Sequence, residues 1–357
     1  MISAQTRRKA IELIDEAVEH GARQKEACRN LGIDGKTFRS WKGTCNKGDT
    51  LEDGRHNAVH PSPKWALKPE EEEKMVEFAE RPENQGLTPT MLFFSLLDSG
   101  LYYASQRQWY RVLRKKAVTG NLDKKSCGSV LFGDETSASG PNQLWSWDIT
   151  YLGSGVKGLY YFLYVIIDVY SRKIVAADVW TVQSAGNASE LLTRAFVSEG
   201  LTTDIRRVLH SDNGATMRAE EFLERLRSLN IVESYSRPRH SNDNPFSESL
   251  FSTLKRMRGY QQRFSSLESA RKWVDSFVEY YNNHHCHSGI NYFTPNEAHT
   301  GMAKEKAEKR TRVVEEARSK NPLRWRGRKV RNFYLPEKVY LVRTNQKRGG
   351  IKVRKAN

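Results

Sequence analysis

The stretch QLWSWDITYL, residues 143–152, combines the composition of a buried β-strand with a carboxylate near its centre. Trp, Ile, Thr and Tyr favour strands, and Asp148 stands between Trp147 and Ile149. An ionised carboxylate in such apolar surroundings is costly unless it is paired or binds a metal ion. The stretch therefore predicts a strand that carries a functional side chain.

The segments that follow this strand predict an α/β domain. Runs rich in Val, Ile, Leu and aromatic residues indicate a sheet that is covered on both faces. The predicted strands lie at 143–152, 159–171, 173–180, 206–214 (ending in a polar loop) and 231–236, the helices at 184–200, 219–230 and from Glu248 onwards. The order βββαβαβα is compatible with a ribonuclease H-like sheet, although other α/β folds share parts of it.

Two further carboxylates lie at the ends of predicted elements. Asp212 in LHSDNG follows a hydrophobic strand, Glu248 opens the helix in SNDNPFSESLFSTLKR, and 35 residues separate them. Carboxylates at a strand centre, a strand end and a helix start can converge, and they would then repel one another. Mg²⁺ or Mn²⁺ would relieve this repulsion because both ions prefer oxygen ligands. The alternative is a set of unrelated surface acids, which the apolar surroundings of Asp148 argue against.

The N-terminal segment predicts a helix-turn-helix. Helical periodicity covers 6–20, with Ile11, Ile14, Ala17 and Val18 spaced for one face, and a second helix is expected over about 23–31. A turn at 32–34 then leads to a third helix over 36–41. Its exposed side would carry the candidate DNA-contacting residues Lys36, Thr37, Arg39 and Ser40. Any short helical hairpin can show this pattern, and a polar linker is expected over about 43–66.

A second helical unit is predicted over about 69–118. It begins with an acidic helix and continues as two helices around Ser99–Gly100, the last of which ends in basic residues. This hairpin is another possible DNA-binding element, although its apolar residues are more simply explained as a core. A stretch rich in Gly, Ser, Asp and Lys, 119–141, separates it from the α/β domain.

The positive charge of the chain is concentrated at its C-terminal end. Residues 303–357 contain 19 Lys or Arg and 5 Asp or Glu, so they carry +14 of the net charge of +16. Aromatic residues such as Trp325 and Phe333 are interleaved with the basic ones, which suits contact with a phosphate backbone. The candidate contacts are Arg326, Arg328 and Lys329. We expect the helix before them to extend away from the α/β domain; the alternative is a tail that only aids solubility.

The cysteine and apolar patterns bear on the compartment. Cys28, Cys45, Cys127 and Cys286 form no C-x-x-C pair, which favours reduced thiols in a cytoplasmic protein. The N-terminus lacks the apolar region of a signal peptide, and Asp168 interrupts the longest apolar stretch, so no membrane role is expected. The run HHCH at 284–287 does not predict zinc, because adjacent helical residues point in different directions.

Three motifs, WSWDITYL, LHSDNG and SNDNPFSESLFSTLKR, together resemble the catalytic signature of family 3 insertion-sequence transposases with a retroviral-integrase-type core. YYNNHHCHSGINYFTP is similar to a later motif of that family, although His285 and Cys286 stand where many relatives have Arg-Pro. The resemblance implies that Asp148, Asp212 and Glu248 ligate two Mg²⁺ or Mn²⁺ ions. It also implies that Lys255, on the face of Glu248 at helical spacing, contacts terminal DNA. Its neighbour Arg256 is a further candidate DNA contact.

These observations predict a multidomain protein in four parts. They are a helix-turn-helix domain with linker at 1–60, a second helical domain at 61–125, a ribonuclease H-like catalytic core at 139–300, and a basic extension with β character at 301–357. The predicted activity is metal-dependent cleavage and strand transfer at terminal inverted repeats and target DNA, by at least a homodimer in a bacterial or archaeal cytoplasm, associated with the nucleoid. A structure-specific nuclease, or a DNA-binding regulator with an inactive nuclease-like domain, is the alternative.

Overall fold

The computed structural model describes residues 2–48, 51–52, 63–116, 137–236, 244–257 and 259–341. It consists of two compact units, residues 1–66 and 67–357, each with its own hydrophobic core. Cys127, parts of the stretches predicted at 43–66 and 119–141, and the end of the tail from 342 lie outside the described residues. The four predicted domain boundaries stay predictions.

The first unit is a three-helix domain. Its helices are α1 (Ala4–Glu19), α2 (Gln24–Asn30) and α3 (Gly35–Asn46). Ile14, Cys28 and Phe38 meet in its core, and the Asp34 side chain caps α3 by accepting a 2.7 Å hydrogen bond from the backbone N–H of Lys36. The predicted helix-turn-helix is confirmed, with a longer last helix than expected. The expectation for Val18 was wrong, because it is 40% exposed.

The second unit begins with three helices that form a helical part. They are α4 (Pro69–Glu80), α5 (Pro89–Asp98) and α6 (Gln106–Lys115). Most residues of α5 are buried, because apolar side chains occur around the whole helix rather than along one stripe. Pro89 at its first turn and Thr88, which caps it, define where α5 begins.

A five-stranded mixed sheet follows. A short strand, β1 (Ser137–Ala138), precedes this sheet and belongs to a separate two-stranded sheet. The elements that follow are β2 (Leu144–Gly153), β3 (Tyr160–Asp168), β4 (Ile174–Trp180), α7 (Ala185–Ser198), β5 (Arg207–Ser211), α8 (Glu220–Ser228), β6 (Ile231–Tyr235), α9 (Pro245–Arg256) and α10 (Leu267–Asn283). The strand order is β4-β3-β2-β5-β6, antiparallel among β2, β3 and β4 and parallel from β2 through β5 to β6. The predicted ribonuclease H-like arrangement is confirmed.

Both faces of the sheet are covered, as its apolar strands predict. One core joins the sheet to α7 and α8, and the other joins it to α9 and α10. Trp147 of β2 belongs to the first core, whereas Leu152 of the same strand belongs to the second. The α9 side of the sheet is therefore where Glu248 meets the strand of Asp148.

Two C-terminal helices, α11 (Pro295–Thr300) and α12 (Met302–Lys320), return to the helical part of this unit. The two-residue strand β7 (Val339–Tyr340) pairs with β1 instead. Within the described residues up to 341, the expected β character of the tail is limited to β7. No helix in these ranges is both long and apolar enough to cross a membrane.

The tail helix, which we expected to extend away from the α/β domain, packs on the helical part of this unit. Ala307 and Val314 of α12 share one core with α5 and α6. Arg310 of α12 is fully buried, and its Nε and Nη2 donate to the two carboxylate oxygens of Asp98 at 2.6 and 2.8 Å. A buried guanidinium requires such a partner, so this ion pair fixes α12 to the end of α5.

Candidate active site

The register of two parallel strands brings the first two candidate carboxylates together. Ser146 of β2 is paired with His210 of β5. Asp148 lies two residues beyond Ser146, and Asp212 is the first residue after β5, so the neighbouring strands bring the two carboxylates close enough to interact. Because side chains alternate along a strand, Asp148 leaves the sheet on the face opposite Trp147, which is the side covered by α9.

Asp148 lies in surroundings that disfavour its charge. Its Oδ1 accepts a 2.8 Å hydrogen bond from the backbone N–H of Ile149. Burial, with the negative charges of Asp212 and Glu248, nevertheless outweighs that hydrogen bond and raises the pKa of Asp148 to about 7. Asp148 is therefore close enough to both Asp212 and Glu248 for their charges to act on its carboxyl group.

Asp212 occupies a turn whose shape depends on the two residues after it. Its Oδ1 accepts a 2.9 Å hydrogen bond from the backbone N–H of Gly214. A Cβ at position 214 would stand 2.8 Å from Met217 Sδ and 3.1 Å from Asp212 Oδ1, so only glycine fits without a shift. Asn213 Nδ2 donates to the carbonyl of Ser236 at 2.6 Å, which ties the turn to the end of β6.

Glu248 projects from the first turn of α9. Leu250, Phe251 and Leu254 bury the opposite face of the helix against the sheet, and Glu248 is left exposed. Burial of part of its carboxylate raises the pKa of Glu248. Lys255, two turns later, is also exposed, and Arg256 donates from Nε to the carbonyl of Ser252 at 3.0 Å.

A buried polar cluster, Ser146, Asn244 and Ser247, joins the strand of Asp148 to the helix of Glu248. Asn244 Nδ2 donates to the carbonyl of Trp147 at 3.2 Å, and Ser146 Oγ donates to Asn244 Oδ1. The hydroxyls of Ser146 and Ser247 are 2.9 Å apart. All three side chains are nearly inaccessible to solvent. We call this cluster the polar clamp.

Sequence reasoning missed the polar clamp. Ser146 lies two residues before Asp148, and Ser247 directly precedes Glu248, so both serines lie within the motifs that predicted the carboxylate site. The available signal was a small polar residue between Trp145 and Trp147 at a position that the strand buries. Such a hydroxyl needs a buried partner.

The other candidate DNA contacts are exposed, as predicted, but they lie away from these carboxylates in the chain. Lys36, Thr37 and Arg39 occupy the exposed face of α3 in the first unit. Arg326, Arg328 and Lys329 are exposed in the segment after α12. Their assignment to DNA stays a prediction.

Two histidines of the predicted motifs, His210 and His287, have protein partners. The two ring nitrogens of His210 lie 3.0 and 3.2 Å from the hydroxyls of Ser234 and Ser236, which suits a structural role. Burial, with the positive charges of Arg172 and His285, lowers the pKa of His287 to about 3, and its Nδ1 accepts the backbone N–H of Gly289 at 3.1 Å.

The carboxylates fit a divalent cation in chemistry and charge, although they do not form a closed cage. Their ligand atoms are all oxygens, and their mutual repulsion is what a cation would relieve. In the described part of the chain, no group of three or more His, Cys, Asp or Glu side chains is gathered at the spacing that holds a metal ion. A bound ion would therefore have to draw Glu248 and the two aspartates closer together.

Comparison with protein families matches the sheet and the N-terminal helices separately. Two family profiles described as integrase core domain match residues 138–241 and 229–295. A profile described as transposase matches residues 3–80.

Two curated transposases are similar to this chain. The transposase for insertion sequence element IS904 of Lactococcus lactis is 29% identical over 200 residues, which cover 55% of this chain and 74% of that protein. Transposase InsF for insertion sequence IS3A of Escherichia coli is 31% identical over 159 residues, 44% of this chain and 54% of that protein. Among solved structures, the HTLV-2 integrase catalytic core domain in complex with magnesium is 18% identical, with a TM-score of 0.34 over 45% of this chain and 97% of that one.

The core domain and its strand order define a polynucleotidyl transferase with an integrase core. Within this class of enzymes, the N-terminal helix-turn-helix and the named relatives indicate a transposase. The chain is similar to the transposases of insertion sequences, of the type found in IS3, in its integrase core and in its N-terminal helices.

Proposed function

We propose that this chain binds the terminal inverted repeats of its own insertion sequence and catalyses strand cleavage and strand transfer there, with Asp148, Asp212 and Glu248 as the ligands of two divalent ions. The observation that carries the proposal is the raised pKa of Asp148 beside two further carboxylates, set by the register of β2 and β5. Perturbed carboxylates grouped in this way are typical of sites that bind cations or transfer protons.

Phosphoryl transfer asks for positioning and charge rather than a protein nucleophile. Two bound ions, Mg²⁺ or Mn²⁺, would supply activation of the attacking oxygen and stabilisation of the leaving 3′-oxygen. The attacking oxygen is water in a cut and a DNA 3′-hydroxyl in strand transfer. The hydroxyls near Glu248 are therefore free for structural use, and Ser247 is fully engaged in the polar clamp.

Lys255 and Arg256 would hold the DNA strand whose phosphate reacts. Both are exposed at the end of α9, and Lys255 lies seven positions after Glu248 along the helix, a rise of about 10 Å. A cation at this distance would bind phosphates one to three nucleotides from the reacting one, since phosphates on one strand are spaced about 3.4 Å along the duplex axis.

Joining two ends requires both ends in one complex. We propose at least a dimer with two-fold symmetry, which is the simplest arrangement for one type of chain. In this complex Thr37 and Arg39 of α3 would read bases of the repeat, because a recognition helix of a helix-turn-helix uses its exposed face.

The test is a joining assay with the purified full chain and labelled duplexes that carry the DNA flanking its gene. We expect end cleavage and joined products with Mg²⁺ or Mn²⁺, and neither product with Ca²⁺ or a chelator. Cleavage of branched DNA without sequence preference, and without joined products, would instead make the protein a structure-specific nuclease. Binding without any cleavage under all these conditions would support a regulator.

A further inference from the structure

Helix α6 carries a basic face that neither the fold nor the active site explains. Arg107, Arg111 and Arg114 are exposed at i, i+4 and i+7, whereas Trp109, Val112 and Leu113 bury the opposite face. The ten residues of this helix span about 15 Å. Its core contacts are made entirely by the buried face, so folding does not require the arginines.

The charge of this face is largely uncompensated. Arg111 Nη2 lies 3.9 Å from Glu72 Oε1, and Lys115 Nζ lies 3.3 Å from Glu72 Oε2, both with exposed cations. Pairs of this kind contribute about 1 kcal/mol or less and give way to a stronger anion. Arg107 and Arg114 have no carboxylate partner within the described ranges.

The segment after α12 is held at both of its ends, at one end by α4 and at the other by α6. Arg324 donates two hydrogen bonds to the Glu71 carboxylate of α4, at 2.9 and 2.6 Å. Arg331 Nη1 donates to the side-chain oxygen of Gln106, the first residue of α6, at 3.1 Å. The rings of Trp325 and Tyr102 lie 5.5 Å apart between these two anchors. The residues between 324 and 331 therefore run past the start of α6.

This anchored segment turns sharply and presents more cations. Arg326 and Gly327 have φ angles of 45° and 76°, in the left-handed region, and the turn brings Arg328 and Lys329 out to solvent. A glycine meets this requirement without strain. The segment 324–331 is thus held on the second unit beside the start of α6.

We propose that α6 and the segment 325–330 form one binding surface for duplex DNA, in which Arg107 and Arg114 enter the major groove and Arg328 and Lys329 contact the adjacent phosphates. A helix of this width fits the major groove, which is about 12 Å wide. Arginine is the side chain best suited to guanine edges, and exposed cations beside the helix suit the backbone. This inference rests on the proposed action of the protein on DNA, but binding at this surface does not require the carboxylates of the active site.

The test compares three double substitutions in the full chain. They are Arg107→Ala with Arg114→Ala, Arg328→Ala with Lys329→Ala, and the matched control Arg206→Ala with Arg225→Ala. The control removes the same charge, and both of its residues are exposed. Arg206 lies just before β5, at the end of the strand opposite Asp212, and Arg225 lies on α8. Binding is measured without divalent ions over a series of salt concentrations, on a duplex of the terminal repeat and on a scrambled duplex of equal length.

We expect the α6 pair to reduce the preference for the repeat over the scrambled duplex by about tenfold or more, since each base contact contributes about 1–3 kcal/mol. The pair Arg328→Ala with Lys329→Ala should weaken binding to both duplexes alike. It should also reduce the slope of log affinity against log salt concentration by about two, for two lost phosphate contacts. The control should change neither quantity, and all variants should keep the thermal unfolding midpoint of the wild type.

Two outcomes would overturn the proposal. If both pairs behave as the control does, the surface does not bind DNA. If the α6 pair weakens both duplexes equally, α6 does not read the groove. A wild-type protein that binds through this surface but forms no joined product would contradict the proposed function and leave the surface intact, because this assay contains no catalysis.

Discussion

The polar clamp makes a prediction about catalysis that can be separated from folding. Asn244→Ala removes the donor to the Trp147 carbonyl and the acceptor of the Ser146 hydroxyl, both of which are buried. A buried polar group left without a partner costs about 1–3 kcal/mol. Because Asn244 is the residue directly before α9, this cost falls on the contact between the start of that helix and β2.

A loss of about 2 kcal/mol would reduce the docked population of the helix start roughly 30-fold relative to the undocked one. Glu248 would then meet Asp148 less often, and the divalent ion would have to restore the contact. We expect the Asn244→Ala protein to need several-fold more Mg²⁺ for half-maximal cleavage, with much of the wild-type rate recovered at saturating ion. Ser146→Ala should act in the same direction with a smaller effect.

The assay is cleavage of a labelled repeat duplex over a Mg²⁺ series, with a thermal unfolding curve for each protein. Ser249→Ala is the matched control, because Ser249 is exposed on the same helix, next to Glu248. An unchanged ion requirement for Asn244→Ala would refute the positioning role. So would a rate loss that saturating ion leaves untouched while the protein stays folded.

Three further predictions concern the remaining parts of the chain. Changing Thr37 and Arg39 to Ala should weaken binding to the repeat far more than to random DNA in a gel-shift competition; an equal loss would move recognition away from α3. Burial raises the pKa of Glu199, but hydrogen bonds from His299, Lys173 and Asn142 outweigh it and hold this pKa at about 2. The lowered pKa of Glu199 therefore contributes roughly 3 kcal/mol to the free energy of unfolding above pH 4.5, and this contribution is lost as the pH falls towards 2. Urea unfolding of Glu199→Gln at a series of pH values should lack this part of the pH dependence. A pH profile of stability that matches the wild type would contradict the prediction. Asp98→Ala should destabilise the second unit by about 3–5 kcal/mol, because it leaves Arg310 buried without its carboxylate; a loss below about 1 kcal/mol in thermal or urea unfolding would show that the pair does not fix α12.

The sheet was predictable from sequence because each strand is a short apolar run bounded by turn residues. The position of Asp148 in such a run also indicated the site, since a carboxylate there has few structural explanations. Local periodicity, however, does not report contacts between distant segments. Asn244 and Ser146 are 98 residues apart, and each is an ordinary polar residue in its own surroundings.

The packing of the tail was not predictable for a related reason. Its composition is dominated by cations, which predicts solvent exposure, yet Arg310 is buried because Asp98, 212 residues earlier, neutralises it. The rings of Phe94 and Phe293 also lie against its guanidinium, at 4.8 and 4.2 Å. One buried arginine among exposed ones has no signature in the sequence.

The most direct test of the proposed chemistry compares binding and joining in Asp148→Asn, Asp212→Asn and Glu248→Gln. Each change removes a charge and little volume, and DNA affinity resides mainly in the basic regions. With Mg²⁺ and a labelled repeat duplex, we expect each protein to bind the duplex nearly as well as the wild type and to form no cleaved or joined product. Near-normal joining by any one of the three would contradict its role as a ligand in the active site.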